Sequence, residues 1–262
     1  MPDYNRLRMI ICIDVGNTNI DFGFFDDEDK YLFRERLPTS RVEGILTLWE
    51  RLKDSKVVSS VELVLLASVR PQIDASLASF MKKAFRVTPL RAGHEFGIPI
   101  CARVEEPAKV GIDRLVNSWE AFRRTRSATI VVSFGTAMVF DAVDAAGEFV
   151  GGAIAPGLRI QALALHEHCA QLPLVDPAPY VEPIGRNTQH AMSVGLFHGQ
   201  VGAARHILRQ FAEKLGAPRI LATGGDAARF APFIPEIHEV APNLTLEGLL
   251  HAWRAHESER KK

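Results

Sequence analysis

The chain alternates between short, continuously apolar runs and longer stretches in which apolar residues return every three or four positions. Those are the periods of buried strands and of amphipathic helices. Residues 8–14 and 20–26 read as strands, with "DVGNTN" (14–19) between them, and "DDEDK" (26–30) turns the chain into a third strand at 31–36. "SRVEGILTLWERLKD" (40–54) sets Ile45, Leu46, Leu48, Trp49 and Leu52 at helical spacing. "ELVLLASV" (62–69) is too continuously apolar for a half-exposed strand and predicts burial on both faces. "PQIDASLASFMKKAF" (71–85) predicts a helix with proline in its first turn.

The second half repeats the theme without repeating the sequence. "ATIVVSFGTAMVFDAVDAAGEFVGGAIA" (128–155) predicts a strand, a Gly-Thr turn, a second strand, an "AAG" turn and a third strand. A long helix is expected over 187–215, where Met192, Leu196, Val201, Ile207, Leu208 and Phe211 form a packing surface, part of it suited to a subunit interface. "RILATGGDAARFAPF" (219–233) gives a short strand, a Gly-Gly turn and a helix start. Two strand-turn-strand units, each followed by helices, predict an α/β protein of two similar domains, residues 1–118 and 119–262, with mixed sheets around an interdomain cleft.

Composition narrows the function by exclusion. Lys plus Arg and Asp plus Glu both number 31, so no net basic field favours nucleic acid or an anionic membrane. The longest apolar run, "VELVLLASV" (61–69), is far shorter than the ~20 residues that span a bilayer, and "MPDYNRLR" has no apolar signal segment. Cys12, Cys101 and Cys169 are widely separated, an odd set that argues against a disulfide framework or a zinc site and for a reducing cytoplasm. "HEHC" (166–169) reads as a solvated helix end rather than a metal site.

The chemistry collects at the turns. Ordinary hairpins turn through Asn-Gly or Asp-Gly, whereas Asp14-Val15-Gly16-Asn17-Thr18-Asn19 offers a carboxylate, bare backbone, a hydroxyl and amides. Asp14 either caps the turn or orients hydrated Mg2+ on nucleotide phosphates. The Walker pattern is absent, yet main-chain N–H groups at glycine turns such as Gly135-Thr136 build anion sites by the same physics. In "VGIDRLVNSWEAF" (110–122), Leu115, Val116, Trp119 and Phe122 give a helix its apolar face, and Asp113 at its start is an N-cap or a general base, with Arg114 a surface cation or the holder of an acidic substrate group. Asn187 or Thr188 caps the long helix or meets a ligand. The glycines of "GGAIAPGL" (151–158) permit close approach of a ligand or a helix, and "GGD" (224–226) faces an adenine ring or turns the chain.

Taken together, these motifs resemble the type III pantothenate kinases of the actin-like, ribonuclease-H-like superfamily. "DVGNTN" (14–19) is similar to the family's first phosphate motif, "GIDR" (111–114) to its substrate motif and "FGTAMVFD" (134–141) to its second phosphate motif. "GGAIAPG" (151–157), "LP" (172–173), "GRNT" (185–188) and "ATGGDA" (222–227) follow in family order. The resemblance implies a cytoplasmic kinase that phosphorylates pantothenate with ATP and Mg2+, in a homodimer with a shared active site. By position it implies that Asp14, Val15, Gly16, Asn17, Thr18, Asn19, Ile20 and Asp21 line the ATP phosphates with Gly135 and Thr136. It implies that Gly111, Ile112, Asp113 and Arg114 hold pantothenate, Asp113 taking the proton, and that Thr188 reaches it from the neighbouring subunit.

The resemblance departs at two positions. Ser133 stands where the family carries an aspartate that binds a monovalent cation, K+ or NH4+, and Val104 where it tends to carry a substrate-contacting tyrosine. These departures admit a second expectation, a catalytically weak homologue with a regulatory or accessory role, and a third, a kinase for another small hydroxy acid.

Overall fold

The computed structural model describes residues 8–41, 47, 50, 61–177 and 182–261. Most of the helix expected over 40–54, including Ile45, Leu46, Leu48, Trp49 and Leu52, lies outside the described residues. The apolar runs become strands. Met9–Val15 (β1) pairs antiparallel with Asn19–Phe25 (β2), which pairs antiparallel with Tyr31–Pro38 (β3). At the β2–β3 turn the Asp26 carboxylate accepts hydrogen bonds from the main-chain N–H groups of Glu28 and Lys30, a local reason for an acidic "DDEDK". Val61–Ser68 (β4) runs parallel to β1, and Leu90–Arg91 (β5) parallel to β4, giving the order β3-β2-β1-β4-β5.

Both faces of β1 and β4 are buried, as the continuous apolar sequence requires. Met9, Ile11, Ile13 and Val15 pack with Val64, Leu66 and with Ile73, Leu77, Met81 and Phe85 of Pro71–Phe85 (α1). Ile10, Cys12, Leu65 and Ala67 pack on the opposite face with Val116 of Ile112–Thr125 (α2).

The second sheet repeats the plan. Thr129–Phe134 (β6), Ala137–Val143 (β7) and Phe149–Pro156 (β8) are consecutive antiparallel neighbours. After Leu158–His168 (α3) and Thr188–Leu215 (α4), Arg219–Thr223 (β9) pairs parallel with β6 and, past Ala227–Phe230 (α5), Glu239–Val240 (β10) with β9. The order β10-β9-β6-β7-β8 is the first sheet's order with its strands renamed. In each sheet only the second strand opposes the rest, the ribonuclease-H-like arrangement. One core fills this unit: Ile130, Val132, Phe134 and Phe140 meet Met192, Leu196, Val201 and Leu208 of α4, and Phe197 stacks on Phe230. Ile207 and Phe211 join from the side, so the α4 surface expected to pack does so.

The chain folds as two compact units. The second comprises residues 101–105 and 121–242, and the first comprises 1–100, 106–120 and 243–262. The first is thus assembled from three stretches of chain, the last of which forms Leu244–Arg260 (α6). Leu246, Leu249, Leu250 and Ala252 of α6 cover the face of β1 and β4 that carries Cys12 and Leu65. Gly248 admits α2 closely, since a Cβ there would lie 2.8 Å from Val116 Cγ1. Two polar contacts tie the same helices: Thr245 Oγ1 donates to Asn117 Oδ1 (2.8 Å), and His251 Nδ1 meets the fully buried Glu120 carboxylate (2.9 Å).

Large apolar side chains contribute about 1.5–3 kcal/mol each when buried, so α6 is no appendage. Truncation after Pro242 is expected to abolish cooperative unfolding of the first unit. Hydrogen exchange would check this, with protection of β1 and β4 amides lost and that of β6 and β9 retained.

Candidate functional site

Polar groups gather where the buried strands end. In the first unit β1 delivers Asp14 beside Asp21 on β2 and Ala67 on β4. The turn that follows is tied down carbonyl by carbonyl. Gly16 N–H donates to the Asn19 carbonyl (2.9 Å), the Gly16 carbonyl accepts from Thr39 Oγ1 (3.1 Å), and the Thr18 carbonyl accepts from Thr39 N–H (2.8 Å). The Asn17 carbonyl accepts from Arg70 Nη1 (3.3 Å). Carbonyls drawn back in this way leave a turn whose outward dipoles suit an anion. A Cβ on Gly16 would sit 3.2 Å from the Asn19 carbonyl oxygen, so a larger residue there would need the turn to give by a few tenths of an ångström.

The carboxylate of Asp14 feels the charges of two others, Asp21 and Asp113. Burial, followed by the charges of Asp113 and Asp21, pushes the Asp14 carboxyl well above its ordinary range. Asp21 is gripped by arginines: Arg36 Nε and Nη2 donate at 2.7 and 3.1 Å, and Arg34 Nε donates at 2.8 Å. Burial still raises Asp21, with Arg36 acting against it. Asp113 lies in the first turn of α2, and burial raises it too, opposed by the main-chain N–H groups and the charge of Arg114. Gly111 makes this seat: a Cβ there would lie 2.6 Å from Asp113 Oδ1. Gly111, Ile112, Asp113 and Arg114 are all half-buried at the helix start, which makes Asp113 both a helix-end acceptor and a partly accessible carboxylate.

In the second unit, glycines build the Gly135-Thr136 turn. Gly135 N–H donates to the Ala137 carbonyl (3.0 Å) and Gly157 N–H to the Thr136 carbonyl (3.1 Å). A Cβ on Gly157 would fall 2.3 Å from the Gly135 carbonyl oxygen, so only glycine lets the end of β8 close on this turn. Gly224, at φ +92°, packs as tightly, its Cβ position being 2.3 Å from the Phe134 carbonyl oxygen. The Phe134 carbonyl accepts from Asp226 N–H at 3.1 Å. "GGAIAPG" and "ATGGDA" therefore serve backbone-to-backbone approach around one exposed turn. Ser133, half-buried at the end of β6, lies between Val139 and Thr223 on the neighbouring strands.

The remaining candidates stand on other elements. Val104 is half-buried, and its Cγ1 is 3.8 Å from the Cβ position of Gly151. Thr188 is exposed at the first position of α4, where Asn187, not Thr188, is the cap: its Oδ1 accepts from His190 N–H (2.9 Å). Gly185 packs on that turn, its Cβ position 2.3 Å from Ala191 N. "HEHC" is an exposed helix end, and no group of three metal-ligating side chains occurs among the described residues. Cys12, Cys101 and Cys169 are free thiols, and among the described residues no helix is long and apolar enough to cross a membrane.

Sequence reasoning missed Thr39, Arg34 and Arg36. The arginines stand two residues apart on β3, directly across from Gly23 and Asp21 and on their face of the sheet, a period-two signal that was present. Thr39 had no local signal, because its partners lie in the β1–β2 turn.

A carboxyl raised in the folded protein binds its proton more tightly there than in the unfolded chain. Its ionisation therefore removes stability as pH rises from the ordinary carboxylate range through the folded value. Without ligands, Asp14→Asn is expected to raise Tm at pH 8 by roughly 2–4 °C, the shift that about 1 kcal/mol produces in a chain of this size. The gain should shrink towards pH 4. Thermal unfolding at both pH values checks it.

Comparison with known proteins fits this geometry. The family model for type III pantothenate kinase matches residues 10–210. A type III pantothenate kinase of Myxococcus xanthus (strain DK1622) is 38% identical over 249 residues, covering 92% of this chain and 96% of that one. One from Thermomicrobium roseum is 36% identical over 260 residues, covering 95% and 99%. Among solved structures, a Campylobacter jejuni protein described as a Baf family transcriptional activator superimposes with a TM-score of 0.61 at 18% identity, covering 95% of this chain and 99% of that one. At that identity the likeness concerns the fold alone. Family model and relatives together span both turns and the Gly111–Arg114 helix start, and the chain belongs to the type III pantothenate kinase family.

Proposed function

We propose that the protein transfers the γ-phosphoryl group of ATP to the primary hydroxyl of pantothenate, giving 4'-phosphopantothenate and ADP, the first step of coenzyme A biosynthesis. Family membership supports this reading. The observation that carries it is the seat of Asp113: a half-buried carboxylate pressed on Gly111, raised above its usual range, and close enough to Asp14 to raise that group as well.

In this reading Asp113 takes the hydroxyl proton as the oxygen attacks the γ-phosphorus and the bond to the β-phosphate's bridging oxygen breaks, releasing ADP. Arg114 pairs with the pantothenate carboxylate. Residues Asp14 to Asp21, with Gly135 and Thr136, receive the phosphates on main-chain N–H groups, Asp21 acting through its arginine grip rather than by direct contact. The Asp14 site fits Mg2+, because a carboxyl raised by burial and then by the charges of Asp113 and Asp21 is what a divalent cation would relieve. Bound there through water, Mg2+ supplies positive charge to the phosphates. By this assignment residues 1–118 carry the first turn and the acceptor loop, and 119–262 the second turn.

Two finer assignments belong to the same reading. The working form is a cytoplasmic homodimer in which Thr188 reaches the neighbouring subunit's pantothenate. Ile154, Ile160, Leu163, Leu174 and Ile184 of the second unit, large apolar side chains left exposed, support a partner there. Ser133 brings no charge and has Val139 and Thr223 as its cross-strand neighbours, a setting that does not fit a monovalent-cation site, so turnover is assigned no such requirement.

Asp113→Asn is expected to lower pantothenate-dependent ADP release by about 10²–10⁴-fold while ATP binding is retained. Because Asp113 must be ionised to accept a proton and its carboxyl is raised, kcat/KM should fall on the acid side at a pH above the ordinary aspartate range. Undiminished turnover in the variant would remove Asp113 from this role. Replacing K+ by a large organic cation is expected to leave steady-state turnover unchanged, and strict dependence on K+ would show that ligands other than Ser133 hold the ion.

A further inference from the structure

Arg70 stands beside the first turn with most of its hydrogen-bonding capacity unspent. It follows β4, which ends level with β1: Ser68 pairs with Val15, and Val69 N–H donates to the Val15 carbonyl (3.1 Å). Arg70 N–H donates to Ser68 Oγ (3.1 Å), and the proline that follows keeps its backbone out of the helical region, at φ −129° and ψ 71°. The side chain is thereby aimed along the turn, where Nη1 makes a long contact with the Asn17 carbonyl (3.3 Å). Nε is buried and has no acceptor, and no carboxylate among the described residues pairs with the guanidinium.

A buried guanidinium nitrogen without an acceptor has lost its hydration without compensation. A ligand oxygen would satisfy it. The position restricts the ligand class, because ligands of open α/β sheets bind outside the carboxyl ends of the strands, and β1 and β4 end together here. The planar fork of arginine matches the paired oxygens of phosphate, and the turn it touches has its carbonyls drawn back.

The geometry points to Arg70 as a phosphate-contacting residue of the kinase reaction, donating through Nε and its terminal nitrogens to the terminal phosphoryl group of ATP. This rests on the reading of the first turn as the ATP phosphate site. Arg70 adds to that reading a cation carried by the chain itself, where Ser133 offers none. Its charge would count most in the transition state, when negative charge moves onto the oxygens it meets.

The test compares Arg70→Ala, Arg70→Lys and Arg70→Gln with the unaltered protein in steady-state ADP release, varying ATP and pantothenate separately, with Tm measured for each. Arg70→Ala is expected to lower kcat/KM for ATP roughly 10²-fold, with KM for pantothenate changed less than about two-fold. Arg70→Lys should recover part of the loss through charge, and Arg70→Gln none. Full recovery by Gln, which can still donate to the Asn17 carbonyl, would overturn the proposal in favour of a purely structural contact. Unchanged kcat/KM in a folded Ala variant would overturn it outright. If the Ala variant does not fold, the Lys and Gln pair alone decides between charge and shape. No pantothenate-dependent ADP release from the unaltered protein would instead sink the kinase reading beneath it, separating the two failures.

Discussion

Burial of the central strands on both faces is the constraint from which the site follows. Along β1, Met9, Ile11, Ile13 and Val15 enter one apolar cluster while Ile10 and Cys12 enter another. Within such a strand an unpaired charge would cost several kcal/mol, so polar chemistry is pushed to its ends. Asp14 sits one residue before that end and already registers the cost in its raised carboxyl. The repeated strand order puts a hairpin turn at the same end of β1 and of β6, and a parallel neighbour, β4 or β9, beside each. Each unit thereby offers main-chain dipoles at the end of a rigid strand pair.

The two turns reach that result by different means. In the first, side chains from elsewhere hold the carbonyls: Thr39 takes two of them, and Arg70 a third. In the second, absent side chains do the work, since Gly157 and Gly224 let β8 and the segment after β9 close on residues 134–136. The first mechanism tolerates variation within the turn but depends on distant partners. The second fixes residues far apart in sequence as glycine and leaves little freedom elsewhere.

This difference decides what was legible in the sequence. Continuous apolar runs announced β1, β4 and β6, Pro71 announced α1, and the departure from ordinary hairpin chemistry singled out both turns. Gly185 and Asn187 turned out to be explained by packing and capping on α4, which leaves Thr188 the exposed hydroxyl of its motif. Long-range pairing was not legible. The period-two spacing of Arg34 and Arg36 was visible, but not that both would hold Asp21, and nothing in "LPTSR" marked Thr39 as the lock of a turn more than twenty residues earlier. Likewise no sequence reading singled out residues 244–260, and the apolar face that Leu246, Leu249 and Leu250 cover is known only from the fold.

The membership of α6 in the first unit bears on how the chain is made. Synthesis runs from the N terminus, and domains fold as their residues emerge. Residues 121–242 are continuous, so nearly all of the second unit is available to fold once they have left the ribosome. The first unit starts earlier yet finishes later, for β1 and β4 keep one apolar face open until residues 244–260 arrive. A nascent chain therefore carries an unfinished first unit after most of the second has emerged, and that interval is when chaperones would find hydrophobic surface to hold.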